Sequence, residues 1–81
     1  MNRTEALELV KDSISRVVPG ADLEALGPED SFRDALEMDS LDFLGFIEAL
    51  SSRSGVRIED EDTRHLTTLS GTADFLVARA G

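Results

Sequence analysis

The chain contains no cysteine, which removes disulfides, thiolate metal sites and cysteine nucleophiles from consideration. Trp and Tyr are missing as well, and His65 is the one histidine. This chain alone therefore cannot assemble a histidine metal cluster or a catalytic triad. No apolar run approaches a membrane span, and the N-terminus has no apolar signal core, so the cytoplasm is the expected compartment. Basic residues are scarce: 8 Lys and Arg stand against 17 Asp and Glu, for a net charge of −9. That balance argues against nucleic acid and anionic membrane as partners, because both call for a basic stripe. What remains is 81 residues, 41% hydrophobic and 31% charged, the composition of a soluble globular chain. A core of that size supplies only about 3–5 kcal/mol of net stability. A single domain over residues 1–81 is expected, without an enzyme's own catalytic pocket.

The charge is concentrated in the middle. Residues 28–62 hold 11 acids and 3 bases, whereas the two ends are nearly balanced. An acidic field keeps a small protein soluble; it also speeds encounter with basic partners.

Periodicity predicts an all-α fold with three main helices, one short helix and a long first loop. The first helix runs from Arg3 to Val18, opened by a capping box of Asn2 and Glu5 and closed by Pro19-Gly20. Its apolar stripe is Leu7, Val10, Ile14, Val17 and Val18. Residues 19–39 form a long connection pinned by Leu23, Leu26, Phe32 and Leu36. A loop of about twenty residues in so small a chain is commonly functional. The second main helix spans Ser40 to Arg53 and is closed by Gly55. An acidic short helix follows at Asp60–His65. The last helix covers Gly71–Arg79, with Ser70 as its cap and Leu69, Ala73, Leu76, Val77 and Ala80 turned inward. Asp60–His65 does not make a calcium loop, because Arg64 and His65 stand where an oxygen ligand and a glycine are required.

The helix beginning at Ser40 carries the informative pattern. Phe43, Phe46, Ile47 and Leu50 already supply a core stripe within about 100° of the wheel. Leu41 and Leu44 lie on the opposite side with Gly45 and Glu48. Ser40 sits at the helix start beside those leucines, flanked by Asp39 and Asp42. Both Asp and Ser are good helix caps, so capping is one role open to Ser40. No His or Lys stands near it to act as a base, so it is not a self-activated nucleophile. The other role is a hydroxyl that a second enzyme modifies: a helix N-terminus with free N–H groups favours an attached phosphodiester.

The stretch Leu36-Glu37-Met38-Asp39-Ser40-Leu41-Asp42, continued by Phe43 to Leu50, resembles the acyl carrier protein family. Gly55 to Asp62 and His65 to Leu69 are similar to the family's later segments, and the helix order matches over essentially the whole chain. The resemblance implies a four-helix acyl-carrier-like bundle that carries rather than catalyses. It implies 4′-phosphopantetheine attached to the Ser40 hydroxyl by a phosphopantetheinyl transferase, with Asp39 positioning the serine and a magnesium ion. The arm's thiol would hold an acyl thioester for acyl-loading and acyl-processing enzymes of fatty acid or polyketide type, and the carrier would act as a monomer. Leu41, Asp42, Leu44 and Glu48 would face those partners. The family usually has Gly where Glu37 stands, an acid where Gly45 stands, and Glu-rich positions at Ser51, Ser52 and Arg53. These departures suggest a specialised biosynthetic pathway. Two other readings are a small acidic helical adaptor without a prosthetic group, and a carrier of amino acids.

Overall fold

A computed structural model describes residues 1–80 as helices joined by tight turns, with no strand among the described residues. Helix α1 spans Arg3–Val17. Its capping box is formed: Asn2 Oδ1 accepts from the Glu5 N–H at 2.8 Å, and a Glu5 carboxylate oxygen accepts from the Asn2 N–H at 3.5 Å. Such a cap is worth about 1 kcal/mol. The buried residues of α1 are Ala6, Val10, Ser13 and Ile14, not the full stripe of larger side chains read from the sequence. Leu7, Val17 and Val18 are half-buried and pack against the edge of the core, while contact of α1 with both other long helices also encloses Ala6 and Ser13. Ser13 is buried without loss, since its hydroxyl donates to the Leu9 carbonyl at 2.8 Å.

The long connection is more ordered than its sequence suggested. A 3-10 turn forms at Leu23–Ala25, and a one-turn helix, α2, forms at Phe32–Ala35. Phe32 is fully buried and meets Phe46 edge-on, with ring centroids 5.0 Å apart. That geometry adds about 0.5–1.5 kcal/mol to simple burial. The Phe32 N–H donates to the Thr67 carbonyl and the Ser70 N–H to the Pro28 carbonyl, so the loop is stitched to the segment leading into the last helix.

Helix α3 spans Ser40–Ser54 and ends at Gly55, which takes the left-handed conformation (φ 73°). Only Gly adopts that cap without a Cβ penalty. A 3-10 turn then occupies Asp60–His65, as the acidic pattern predicts. Helix α4 spans Leu69–Ala80. Its cap is Thr68, whose hydroxyl accepts from the Gly71 N–H at 2.9 Å. Ser70 lies inside the helix, where its hydroxyl accepts from Arg3 at 2.7 Å. Ala80 is exposed, and Thr72 and Phe75 take its expected place in the core.

Asp62 is buried and fastens the 3-10 turn to α4 through Arg79 at 2.8 Å. The Glu59 backbone N–H donates to the same carboxylate. This hydrogen bond comes first, then the Arg79 guanidinium, and together they outweigh burial and hold the Asp62 carboxyl below its ordinary value. The Arg79 guanidinium lies over the Phe75 ring at 4.7 Å, and His65 stacks on that ring.

Candidate functional site

The start of α3 is set by the turn before it. Ser31 caps α2 by accepting from the Asp34 N–H at 3.4 Å. At the other end, the Met38 N–H donates to the Arg33 carbonyl at 2.9 Å and the Glu37 N–H to the Asp34 carbonyl at 3.2 Å. These paired bonds make a Schellman motif, with Glu37 as the left-handed residue just past the helix. Glu37 has φ 53°, the one positive φ at a non-glycine among the described residues. Met38, next along, is drawn into the core at 6% exposure. The family's usual glycine at Glu37 thus has a backbone reason, and the turn keeps that geometry without it.

The chain leaves this motif directly into the cap of α3. Asp39 is extended (φ −85°, ψ −176°), and its Oδ1 accepts from the Asp42 N–H at 2.8 Å. The sequence offered both Asp39 and Ser40 as caps; the structure gives the task to Asp39. Ser40 is the first residue of the helix, it is exposed, and none of the side-chain hydrogen bonds among the described residues uses its hydroxyl. The N–H groups of Ser40 and Leu41 lie in the first turn, where no intrahelical carbonyl can reach them. The positive end of the helix dipole surrounds them.

Along α3, Phe46 and Leu50 are buried, and Phe43 and Ile47 are half-buried against the core. Leu41 is 78% exposed and Leu44 53% exposed, and these are the large apolar side chains left in solvent among the described residues. Glu48 is exposed on the same side, whereas Asp42 is half-buried. Gly45 is not part of that outer face. A Cβ built there would lie 3.0 Å from Val17 Cγ1, so the glycine lets α1 and α3 approach. An acid in its place would point at α1, not at a partner. Among the described residues no group of three or more His, Asp or Glu is gathered as a metal site. No helix is long and apolar enough to cross a membrane.

An exposed, uncommitted serine hydroxyl at a helix N-terminus, beside a two-leucine outer face, suits a protein that is modified and then recognised. Comparisons with known proteins give the family. The phosphopantetheine attachment site family matches residues 8–76. An acyl carrier protein of Thermosynechococcus vestitus is 40% identical over 94% of this chain and 93% of its own length. One from Rubrobacter xylanophilus is 36% identical over 95% and 94%. The solution structure of a candidate acyl carrier protein from Anaplasma phagocytophilum superposes with a TM-score of 0.87 at 24% identity, covering 100% of this chain and 94% of that one; at that identity the likeness speaks to the fold.

The matched family and these relatives define a phosphopantetheine-dependent carrier rather than a catalyst. The chain belongs to the acyl carrier protein family, whose prosthetic group is 4′-phosphopantetheine.

Proposed function

We propose that Ser40 is the attachment residue and that the protein presents acyl thioesters to partner enzymes on a phosphopantetheine arm. The observation that carries this reading is the free, exposed Ser40 hydroxyl on the first turn of α3, with its capping duty taken by Asp39. The site suits the group. A phosphodiester on Ser40 Oγ would lie against the open N–H groups of the first turn, where negative charge is favoured. Asp39 uses Oδ1 for the cap, leaving Oδ2 for the magnesium ion that a phosphopantetheinyl transferase brings. When bound, the arm supplies the thiol that this cysteine-free chain lacks.

Leu41, Leu44 and Glu48 form the partner-facing side of α3, with Asp42 contributing charge at its edge. Two exposed leucines flanked by the Glu48 and Asp42 carboxylates fit partners that offer an apolar pocket rimmed by Lys or Arg. The pathway is a specialised one, working in the cytoplasm. Support comes from the distal end of α3, where Ser52 and Arg53 are exposed in place of acids, and Arg53 reaches Asp12 at 3.6 Å. The adaptor reading accounts for the leucines but gives no reason for a free serine at that position.

Incubation with coenzyme A, magnesium and a broad-specificity transferase, followed by intact-mass measurement, tests the assignment. One phosphopantetheine adduct on the native chain and none on Ser40→Ala is the expected result. Absence of an adduct with several transferases, or an adduct that survives the substitution, contradicts it.

A further inference from the structure

The outer face of α3 continues past Glu48. Leu44, Glu48 and Ser52 follow one another at four-residue steps and so share one side of the helix. Beside Ser52 a groove of about 350 Å³ opens between α1 and α3, lined by Arg16, Ala49, Ser52 and Arg53. Two of these residues are arginines and none is an acid. Ser52 lies about 18 Å beyond Ser40 along the helix axis.

The charges there run against the rest of the chain. The net charge is −9, and the Ser40 end of the helix carries Asp39, Asp42 and Glu48. Arg16 is exposed on α1 and has no carboxylate within ion-pair distance among the described residues. Arg53 reaches only Asp12, at 3.6 Å, and the Asp12 side chain is 65% exposed, so solvent screens that pair. The negative dipole end of each helix favours an arginine in its last turn. That accounts for one arginine per helix but not for their convergence on one groove without an acid in its lining.

We infer that the enzymes served by this carrier seat an Asp or Glu of their own surface in this groove, against Arg16 and Arg53. The inference rests on the outer face of α3 being the docking face. A guanidinium pair suits a carboxylate because its N–H forks match the two oxygens. The face then has two poles. Carboxylates near Ser40 call for Lys or Arg on the partner, and the groove about 18 Å away calls for an acid. Docking the wrong way round sets like charges against each other at both ends, and an enzyme that is basic along the whole contact is repelled at the groove. The arginines thus select among partners and fix the direction of docking, while Leu41 and Leu44 supply the apolar contact.

Photo-cross-linking in the cells that make the protein tests this, with p-benzoylphenylalanine in place of Ser52 in one form and of Leu44 in another. The readout is the partner residue at the cross-link, found by peptide sequencing. The Ser52 form is expected to mark a partner surface whose Asp or Glu stands beside the cross-link. For that partner, Arg16→Glu with Arg53→Glu should weaken binding roughly tenfold, and changing the partner's acid to Lys should restore it. Arg16→Gln with Arg53→Gln, which adds no like charge, should weaken binding less. Rescue by the swapped pair cannot come from helix dipoles, and the Tm of each variant checks that the fold is kept. A Ser52 cross-link to a surface rich in Lys or Arg, to an apolar surface, or to a second copy of this chain overturns the inference, as does a charge swap without rescue. Capture through Leu44 but not through Ser52 means that the contact stops short of the groove, which overturns the inference while the docking face stands. Capture at neither position removes the docking face itself, and the inference with it.

Discussion

Replacing Glu37 with glycine should stabilise the protein. Glu37 is the left-handed residue of the Schellman turn that delivers the chain to Asp39 and Ser40 (φ 53°). An L-residue in that conformation costs about 1–2 kcal/mol through its Cβ. Glycine removes the cost but gains freedom in the unfolded chain, which takes back about 0.4–1 kcal/mol. The Glu37 side chain is exposed and forms no ion pair among the described residues, so nothing else is lost. The net gain lies within about 0–1.6 kcal/mol and is centred near 0.8 kcal/mol. For a chain of this size that centre corresponds to a rise in Tm of roughly 3–6 °C, at about 4–8 °C per kcal/mol. Thermal unfolding followed by circular dichroism at neutral pH measures it. Glu37→Gln separates backbone from charge: it removes the carboxylate, keeps the Cβ, and should melt close to the native chain. Glu37→Val, branched at Cβ, should melt lower. A glycine variant that melts with or below the native protein would show that the turn is not strained at Glu37.

Three further outcomes follow from the packing and the charges. Gly45→Val should destabilise by about 1–3 kcal/mol, because the new side chain is forced onto Val17 at the α1–α3 approach; urea titration reads the change, and a neutral result would remove the close-approach role. Asp62 has a lowered pKa, so its contribution is complete above the ordinary value of 3.8 and disappears as pH falls through the lower folded value. The gap in Tm between native protein and Asp62→Asn should thus be constant above roughly pH 5 and close in more acidic solution; a gap that widens there would reverse the sign. Leu41→Asp with Leu44→Asp should leave Tm nearly unchanged, since both side chains are exposed, yet reduce kcat/KM of the transferase toward this protein. Unaltered kcat/KM would take the outer face out of partner recognition.

Much of the bundle is legible in the sequence because long amphipathic segments with clear stops are decided locally. Asn2 with Glu5, Pro19-Gly20 and Gly55 are signals that act within a few residues, and α1 and α3 end within a residue of where those signals place them. The exposed pair Leu41 and Leu44 is legible for the same reason: the core stripe of α3 is filled without them. The misplaced details depend on neighbours distant in sequence. Ala6 and Ser13 are buried because two helices converge on α1, and Gly45 faces Val17 across that approach. Neither fact can be read from one helix's periodicity. Helix α2 lies between. Ser31 with Asp34 three residues on is a recognisable cap pattern, but a single turn is stable only because Phe32 docks on Phe46. The Asp62–Arg79 contact joins residues 17 apart in sequence, and no local pattern announces it.

Carriage depends on one oxygen atom, Ser40 Oγ, and peptide-level mass spectrometry of protein isolated from its own cells reads its state. Digestion and fragmentation should place phosphopantetheine on Ser40 and on no other serine or threonine of the chain. Recovery of the peptide spanning Asp39, Ser40 and Leu41 wholly unmodified from growing cells, or a modification mapped to a different hydroxyl, would contradict the account.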